Sequence, residues 1–74
     1  MENFLNENIR TVKFSNIPAK EIYERYLKYC EMHSVKPLTF ILFNKEMVKF
    51  GFGKCRGTRG ILQFKDVYLL KCKY

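Results

Sequence analysis

The sequence has no tryptophan, a single histidine, two prolines and three cysteines. Three cysteines cannot all pair within one chain, so free thiols in a reducing cytosol are the simplest interpretation. Long apolar runs are also missing, since the longest, Leu38 to Phe43, is interrupted by Thr39 and is too short to cross a bilayer. The start, Met1-Glu2-Asn3, is polar and acidic with no apolar run after it. We therefore expect no signal peptide, no membrane partner and a cytoplasmic location.

The chain is nevertheless well supplied with residues that form a core. Its hydrophobic fraction is 47% and its aromatic fraction is 16%, with seven phenylalanines and five tyrosines. Disordered chains are poor in these residues, so the composition predicts a folded globule. A chain of 74 residues is one domain of marginal stability. We expect a single α+β domain over residues 1–74.

Two amphipathic helices are predicted in the middle of the chain. The first runs from Pro18 to about His33, with Asn16 or Ser15 as its cap. Its apolar residues recur every three or four positions and predict one buried face: Ala19, Ile22, Tyr23, Tyr26, Leu27 and Cys30. The second helix runs from about Thr39 to Gly51. Its predicted inner side carries Phe40, Phe43, Met47 and Phe50.

Short strands are predicted on either side of these helices. A hairpin follows the second helix, with strands over Phe52–Cys55 and Ile61–Phe64 and a turn over Arg56–Gly60. Val67 to Leu70 is a further apolar stretch that can pair or pack. Residues 1–17 are expected to form an N-terminal extension. It would contain a short helix over Glu2–Ile9 and an edge strand over Arg10–Phe14, with Val12 and Phe14 facing inward.

Positive charge is concentrated in the last third of the chain. Residues 45–74 contain eight Lys or Arg and only two acids, a net of +6 out of the +7 of the whole chain. A helix followed by a hairpin with a cationic tip is typical of a winged-helix module that binds nucleic acid. The predicted DNA contacts are Asn44, Lys45, Lys49, Lys54, Arg56, Arg59 and Lys65. Ordinary solvated surface charge is the alternative interpretation of the same residues.

The predicted outer side of the second helix is not uniformly polar. Ile41 and Val48 share it with Lys45 and Lys49, and Leu42 lies on its flank. A helix that only contacts DNA would rarely expose such residues. Either the N-terminal helix covers Ile41 and Val48, or they form a surface for a protein partner.

Other kinds of site receive little support. Cys30, His33, Cys55 and Cys72 could in principle bind zinc, but they lack the spacing of known zinc motifs. No acid is placed to orient a catalytic Cys–His pair, and the glycines near Lys54 lack the spacing of a phosphate-binding loop. We therefore expect no enzyme activity, no cofactor and no small-molecule substrate. Most aromatic residues fall at core positions; only Tyr29 and the terminal Tyr74 are candidates for stacking on bases.

A family resemblance covers about two thirds of the chain, from Pro18 to Leu70. The residues that carry it are Ile17 to Tyr26, Tyr29 to Glu31, Lys36 to Thr39, Phe43, Met47, Gly51-Phe52, the Lys/Arg/Gly wing, and Val67 to Leu70. This pattern resembles the winged-helix domain at the C-terminal end of phage, plasmid and poxvirus-type primase–helicases. The resemblance implies a winged helix-turn-helix of two to three helices followed by a β-hairpin wing, and contact with origin or template DNA. The ATPase motor of those enzymes is absent, so helicase and primase activities are not expected of this chain.

Two functional hypotheses follow. The first is a module that binds double-stranded DNA or a template single strand during replication of a phage or other mobile element. The second is an accessory subunit or inhibitor that docks onto a polymerase, primase or helicase, with Ile41 and Val48 at the interface. Salt distinguishes them, because DNA binding weakens steeply with salt and an apolar interface does not.

Overall fold

Strands from near both ends of the described residues pair with one another, and two consecutive helices lie between them in the sequence. The structure is a computed structural model, and it describes residues 2–72, apart from the side chain of Thr58. The helices in this range are α1 (Glu2–Asn8), α2 (Ala19–Met32) and α3 (Phe40–Lys49). The strands are β1 (Ile9–Thr11), β2 (Ile17–Pro18), β3 (Lys54–Arg56), β4 (Leu62–Phe64) and β5 (Val67–Leu69).

The strands form two antiparallel sheets. In the larger sheet, β4 lies between β2 and β3, and Phe64 is opposite Ile17 on one side and Lys54 on the other. In the smaller sheet, β1 pairs with β5, so that Ile9 lies opposite Leu69. The predicted α+β class is confirmed, and three helices with small antiparallel sheets are compatible with a small winged-helix fold.

Aromatic side chains from all three helices meet in the core. The Tyr26 ring of α2 lies 4.8 Å from the Phe43 ring of α3 and 5.4 Å from the Phe4 ring of α1, measured between centroids. Phe64 of β4 and Val67 of β5 are fully buried in the same cluster. The N-terminal helix is therefore part of the core, because Phe4 fills the space between α2 and α3.

The start of α2 differs from the prediction. Pro18 is the N-cap, with φ −56° and ψ 135°, and no side chain caps the helix. The Asn16 Oδ1 instead accepts from the Asp66 N–H. Ser15 lies three residues before the N-cap, and its carbonyl accepts from the Val67 N–H. The reason is that Ile17 and Pro18 pair with β4 and stay extended. The prediction that Asn16 or Ser15 caps this helix is wrong.

The limits of α3 agree closely with the prediction. Thr39 is the N-cap, and its hydroxyl accepts from the Leu42 N–H at 3.4 Å. The helix ends before Gly51, which has φ +96°, a left-handed conformation that glycine adopts without strain. Phe43 and Met47 are fully buried as predicted, whereas Phe40 and Phe50, at the two ends, are partly exposed.

The edge strand predicted over Arg10–Phe14 is shorter than expected. It pairs only over Ile9–Thr11, and a turn follows in which the Ser15 N–H donates to the Val12 carbonyl at 3.2 Å. Val12 and Phe14 are exposed, so the prediction that they face inward is wrong. The turn carries both residues away from the core before the chain returns at β2.

Candidate nucleic-acid interface

The exposed side of α3 presents two lysines between apolar residues. With Phe43 at zero and steps of about 100° per residue, Lys45 and Lys49 fall at about 200° and 240°. Ile41 and Val48 lie on one flank of this pair, at about 160° and 140°. Both lysines are exposed, as predicted, and they can reach phosphates without losing contacts in the core.

Asn44 does not belong to this exposed side. Its residue surface is 9% exposed, and its Oδ1 is buried without a hydrogen-bond partner in the described part of the chain. The buried arc of α3 runs from Phe43 through Met47 to Asn44, which falls at about 100° in the same projection. The prediction that Asn44 contacts DNA is therefore not supported by its position, since a buried amide cannot reach a groove.

Ile41 and Val48 are not covered by the N-terminal helix. They are 69% and 44% exposed, and Leu42 on the other flank of the lysines is 47% exposed. Helix α1 lies against the opposite side of α3, where Phe4 contacts Phe43 at 6.2 Å between ring centroids. The alternative in which α1 covers Ile41 and Val48 is therefore excluded, and both side chains are exposed at the surface.

The wing is the β3–β4 hairpin, and its basic residues lie along the edge strand. Lys54 and Arg56 occupy alternate positions of β3 and so project from the same face of the strand. Both are exposed, and β3 is an edge strand that pairs with β4 on one side only. This arrangement places two cations along one edge of the sheet.

The tip of the wing is closed by hydrogen bonds in which one of its arginines takes part. The Arg56 Nη1 donates to the Gly60 carbonyl at 2.9 Å, and the Gly57 N–H donates to the Ile61 carbonyl at 2.8 Å. Gly60 has φ +72°, as expected for a glycine in a tight turn. Arg59 lies at the apex in a left-handed conformation, φ 63°, with its side chain exposed. The two arginines therefore differ, because Arg56 holds the turn and Arg59 projects from it.

Lys65 lies at the base of the wing, at the opposite end of β4 from Arg59. Its N–H donates to the Gly53 carbonyl at 2.8 Å, which brings it beside the start of β3 at Lys54. The predicted basic residues thus divide into the exposed lysines of α3, the edge and apex of the wing, and the wing base. Lys73, one of the eight cations of the last third, lies outside the described residues.

Phe14 is a surface residue, contrary to the prediction that it faces inward. Its side chain is 93% exposed, and its backbone has φ 65°. Alternation along residues 10–14 is typical of a strand and predicted the reverse. The charged residues Arg10 and Lys13 were the signs in the sequence that this segment lies at the surface.

Among the stacking candidates, Tyr29 is half-buried and already in contact with other rings. Its centroid lies 5.4 Å from Phe4 and 4.3 Å from His33. Tyr74 lies outside the described residues. Neither ring is therefore assigned to a site.

The thiols and other potential metal ligands are dispersed. Cys30 is buried in the core and Cys55 and Cys72 are half-buried, and within residues 2–72 none of the three forms a disulfide. Within residues 2–72, no three His, Cys, Asp or Glu side chains come close enough together to bind a metal ion. No helix in the same range combines the length and the apolar character needed to span a membrane.

No protein-family model matches the chain. No curated protein matches it either.

Proposed function

We propose that this chain is a winged-helix module that binds DNA during replication of a phage or other mobile element and has no catalytic activity of its own. The main support is the wing, where Lys54 and Arg56 are exposed along the edge strand and Arg59 is exposed at the apex. Lys45 and Lys49 add a second exposed cationic surface on α3. The resemblance to the winged-helix domain of primase–helicases supports the same proposal.

The chemistry of these groups favours contact with the phosphate backbone. Guanidinium groups pair bidentately with phosphate, and lysines act as point charges. With Asn44 buried, few side chains are left that distinguish one base from another. The module should therefore bind with high salt sensitivity and little choice of sequence.

The test is fluorescence anisotropy with a labelled duplex at two salt concentrations. Arg56→Ala combined with Arg59→Ala should weaken binding and flatten the salt dependence, because two phosphate contacts are lost. Lys20→Ala combined with Lys28→Ala is the matched control, since it removes the same charge from the exposed side of α2. Equal weakening in both double variants, or none in the wing variant, would reject the wing as a DNA contact.

A second function is favoured by one specific observation, the exposure of Ile41, Leu42 and Val48 around the lysines of α3. Apolar anchors with a basic rim suit an acidic protein surface, as expected of an accessory subunit or inhibitor of a polymerase, primase or helicase. Ile41→Ser combined with Val48→Ser should leave the melting temperature and the affinity for DNA nearly unchanged, because both side chains are exposed. The same variant should lose binding to the purified polymerase, primase or helicase that serves as the partner. Retained binding would reject this interface.

A further inference from the structure

The most exposed large apolar side chain of the described residues, Phe14, is held in a conformation that bulky residues rarely adopt. Its φ of 65° lies in the left-handed region, where the Cβ crowds the backbone of any residue except glycine. Its ring is 93% exposed, so burial of the side chain does not compensate for the backbone strain. Strain combined with exposure is typical of positions that contact a ligand.

A set of hydrogen bonds from a distant turn holds this conformation. The Phe14 N–H donates to the Asp66 Oδ1 at 2.9 Å, and the Val12 N–H donates to the Asp66 carbonyl at 3.0 Å. In return, the Asp66 N–H donates to the Asn16 Oδ1 at 3.4 Å. Asp66 also has a left-handed backbone, with φ 55°. The two turns fasten one another, so the Phe14 ring is presented on a fixed backbone.

The residues around this ring make it part of a cationic surface. Lys13 precedes Phe14, and Lys65 precedes the Asp66 that holds it; both lysines are exposed. The bond from the Lys65 N–H to the Gly53 carbonyl brings Lys54 to the same end of the wing. The Asp66 carboxylate, the acid at this place, already accepts a bond from the Phe14 backbone. Exposed lysines therefore adjoin both Phe14 and the Asp66 residue that holds its backbone.

An aromatic face beside cations matches a ligand that offers a flat π surface with a phosphate on each side. An unpaired nucleotide has this chemistry, whereas the bases inside a duplex are covered by their neighbours. We propose that Phe14 stacks on an unpaired base of a single-stranded tail next to a duplex, and that Lys13 and Lys65 contact the adjoining phosphates. This inference rests on the proposed DNA binding and specifies the form of DNA bound.

The position of Phe14 fits such a junction. Strand β4 leads from the wing apex to the turn at Asp66, so Phe14 lies at the base of the wing and Arg59 at its apex. A duplex bound along the wing would then direct a single-stranded tail past Phe14. The lysines at the base would keep the tail in place.

The absence of tryptophan allows a direct test. Phe14→Trp introduces one fluorophore at the proposed stacking position, and stacking on a base quenches indole emission. A duplex with a single-stranded tail should quench this emission, and the same duplex with blunt ends should not. In anisotropy measurements, the parent chain should prefer the tailed duplex by about tenfold, as one stacked base provides.

Two further variants separate stacking from other contacts. Phe14→Ala and Phe14→Leu should both lose the preference for the tail and keep the affinity for the blunt duplex, because leucine is apolar but has no ring. Far-UV circular dichroism checks that they fold, as expected for an exposed side chain. If Phe14→Leu keeps the preference, or if Phe14→Trp is not quenched by the tail, the stacking proposal is overturned.

The experiment also distinguishes this inference from the proposed function. Blunt-duplex binding that depends on Arg56 and Arg59, without any effect of Phe14 on the tail, overturns the inference alone. Absence of binding to either DNA overturns both proposals. A blue shift of Phe14→Trp emission with vesicles of phosphatidylcholine and phosphatidylserine, without quenching by tails, assigns the ring to a lipid surface and overturns the stacking proposal.

Discussion

The Leu38 N–H donates a hydrogen bond to the Tyr26 hydroxyl at 3.1 Å, which fastens the connector between α2 and α3 to the middle of α2. The Leu38 carbonyl is held as well, since it accepts from the Tyr23 hydroxyl at 2.9 Å. Both polar groups of one backbone residue are thus satisfied by side chains one turn apart on the same helix. The position of α3, and of its exposed lysines, depends on this attachment.

Removing one of these hydroxyls should lower the stability of the fold by a small but measurable amount. Tyr23→Phe keeps the ring against Phe40 and Phe43, at centroid distances of 5.2 and 5.3 Å, and removes only the donor to Leu38. We expect the free energy of unfolding in urea to fall by about 0.5–1.5 kcal/mol. Tyr68→Phe is the matched control, since Tyr68 is 50% exposed, and it should leave the midpoint unchanged. A midpoint shift as large for Tyr68→Phe would show that the Leu38 bond is not the cause.

Alkaline pH should destabilise the fold through Tyr26. Burial raises the pKa of its hydroxyl above the ordinary value of 10.0, because the phenolate would lose its hydration, although the bond from the Leu38 N–H acts in the opposite direction. A hydroxyl whose pKa is raised on folding contributes its full amount to the free energy of unfolding at any pH below its unfolded pKa. That contribution is lost as the pH rises through the folded pKa. Between about pH 8 and pH 11, the melting temperature of Tyr26→Phe should therefore fall less than that of the parent. Parallel curves would contradict this assignment.

The core should be most sensitive at Phe43. Its ring is fully buried and contacts rings from α1 and α2, so Phe43→Ala leaves a cavity between all three helices. We expect a loss of about 3–5 kcal/mol in unfolding free energy, which can exceed the total stability of so short a chain. Phe40→Ala is the comparison, because Phe40 is 39% exposed, and it should cost less. A cooperative thermal melt of Phe43→Ala close to that of the parent would contradict the packing.

Substitutions of the two arginines of the wing should have different effects on stability and on the salt dependence of DNA binding. Arg59→Gly suits the left-handed backbone at the apex, so stability should stay equal or rise by up to about 1 kcal/mol. If Arg59 contacts phosphate, the slope of log K against log salt should become shallower by about 0.9. Arg56→Ala should instead loosen the tip, because the bond to the Gly60 carbonyl is lost. Measuring the salt slope and the melting temperature of both variants checks these two different roles. An unchanged slope for Arg59→Gly would exclude a contact between Arg59 and phosphate.

The sequence was sufficient to predict the elements that depend on local signals. Periodicity along α2 and α3, Thr39 at the start of α3 and Gly51 at its end are all readable within a few residues. The misplaced features depend on distant contacts. Ile17 and Pro18 are held extended by β4, and Phe14 is held by Asp66, which is 52 residues away. No window of neighbouring residues contains either cause.

The candidate site was predicted unevenly for a related reason. Basic residues at the surface could be predicted from charge alone, because a lysine or arginine is rarely buried. The burial of Asn44 could not be predicted in this way, because an uncharged amide near the boundary between the buried and exposed faces of a helix occurs on either face. Which face it joins depends on how the neighbouring elements pack. The exposure of Ile41 and Val48 was equally undecided until α1 was seen on the other side of α3.

The pairing of β1 with β5 has a consequence for how the chain acquires its structure. Ile9 and Leu69 are about 60 residues apart in sequence and directly opposite in the sheet. Closing a loop of that length costs roughly 3 to 4 kcal/mol of chain entropy, and only late contacts offset it. During synthesis, β1 stays unpaired until nearly the whole domain has left the ribosome. Folding should therefore occur in one late step, and nascent chains that stop before Val67 should be readily cut by proteases.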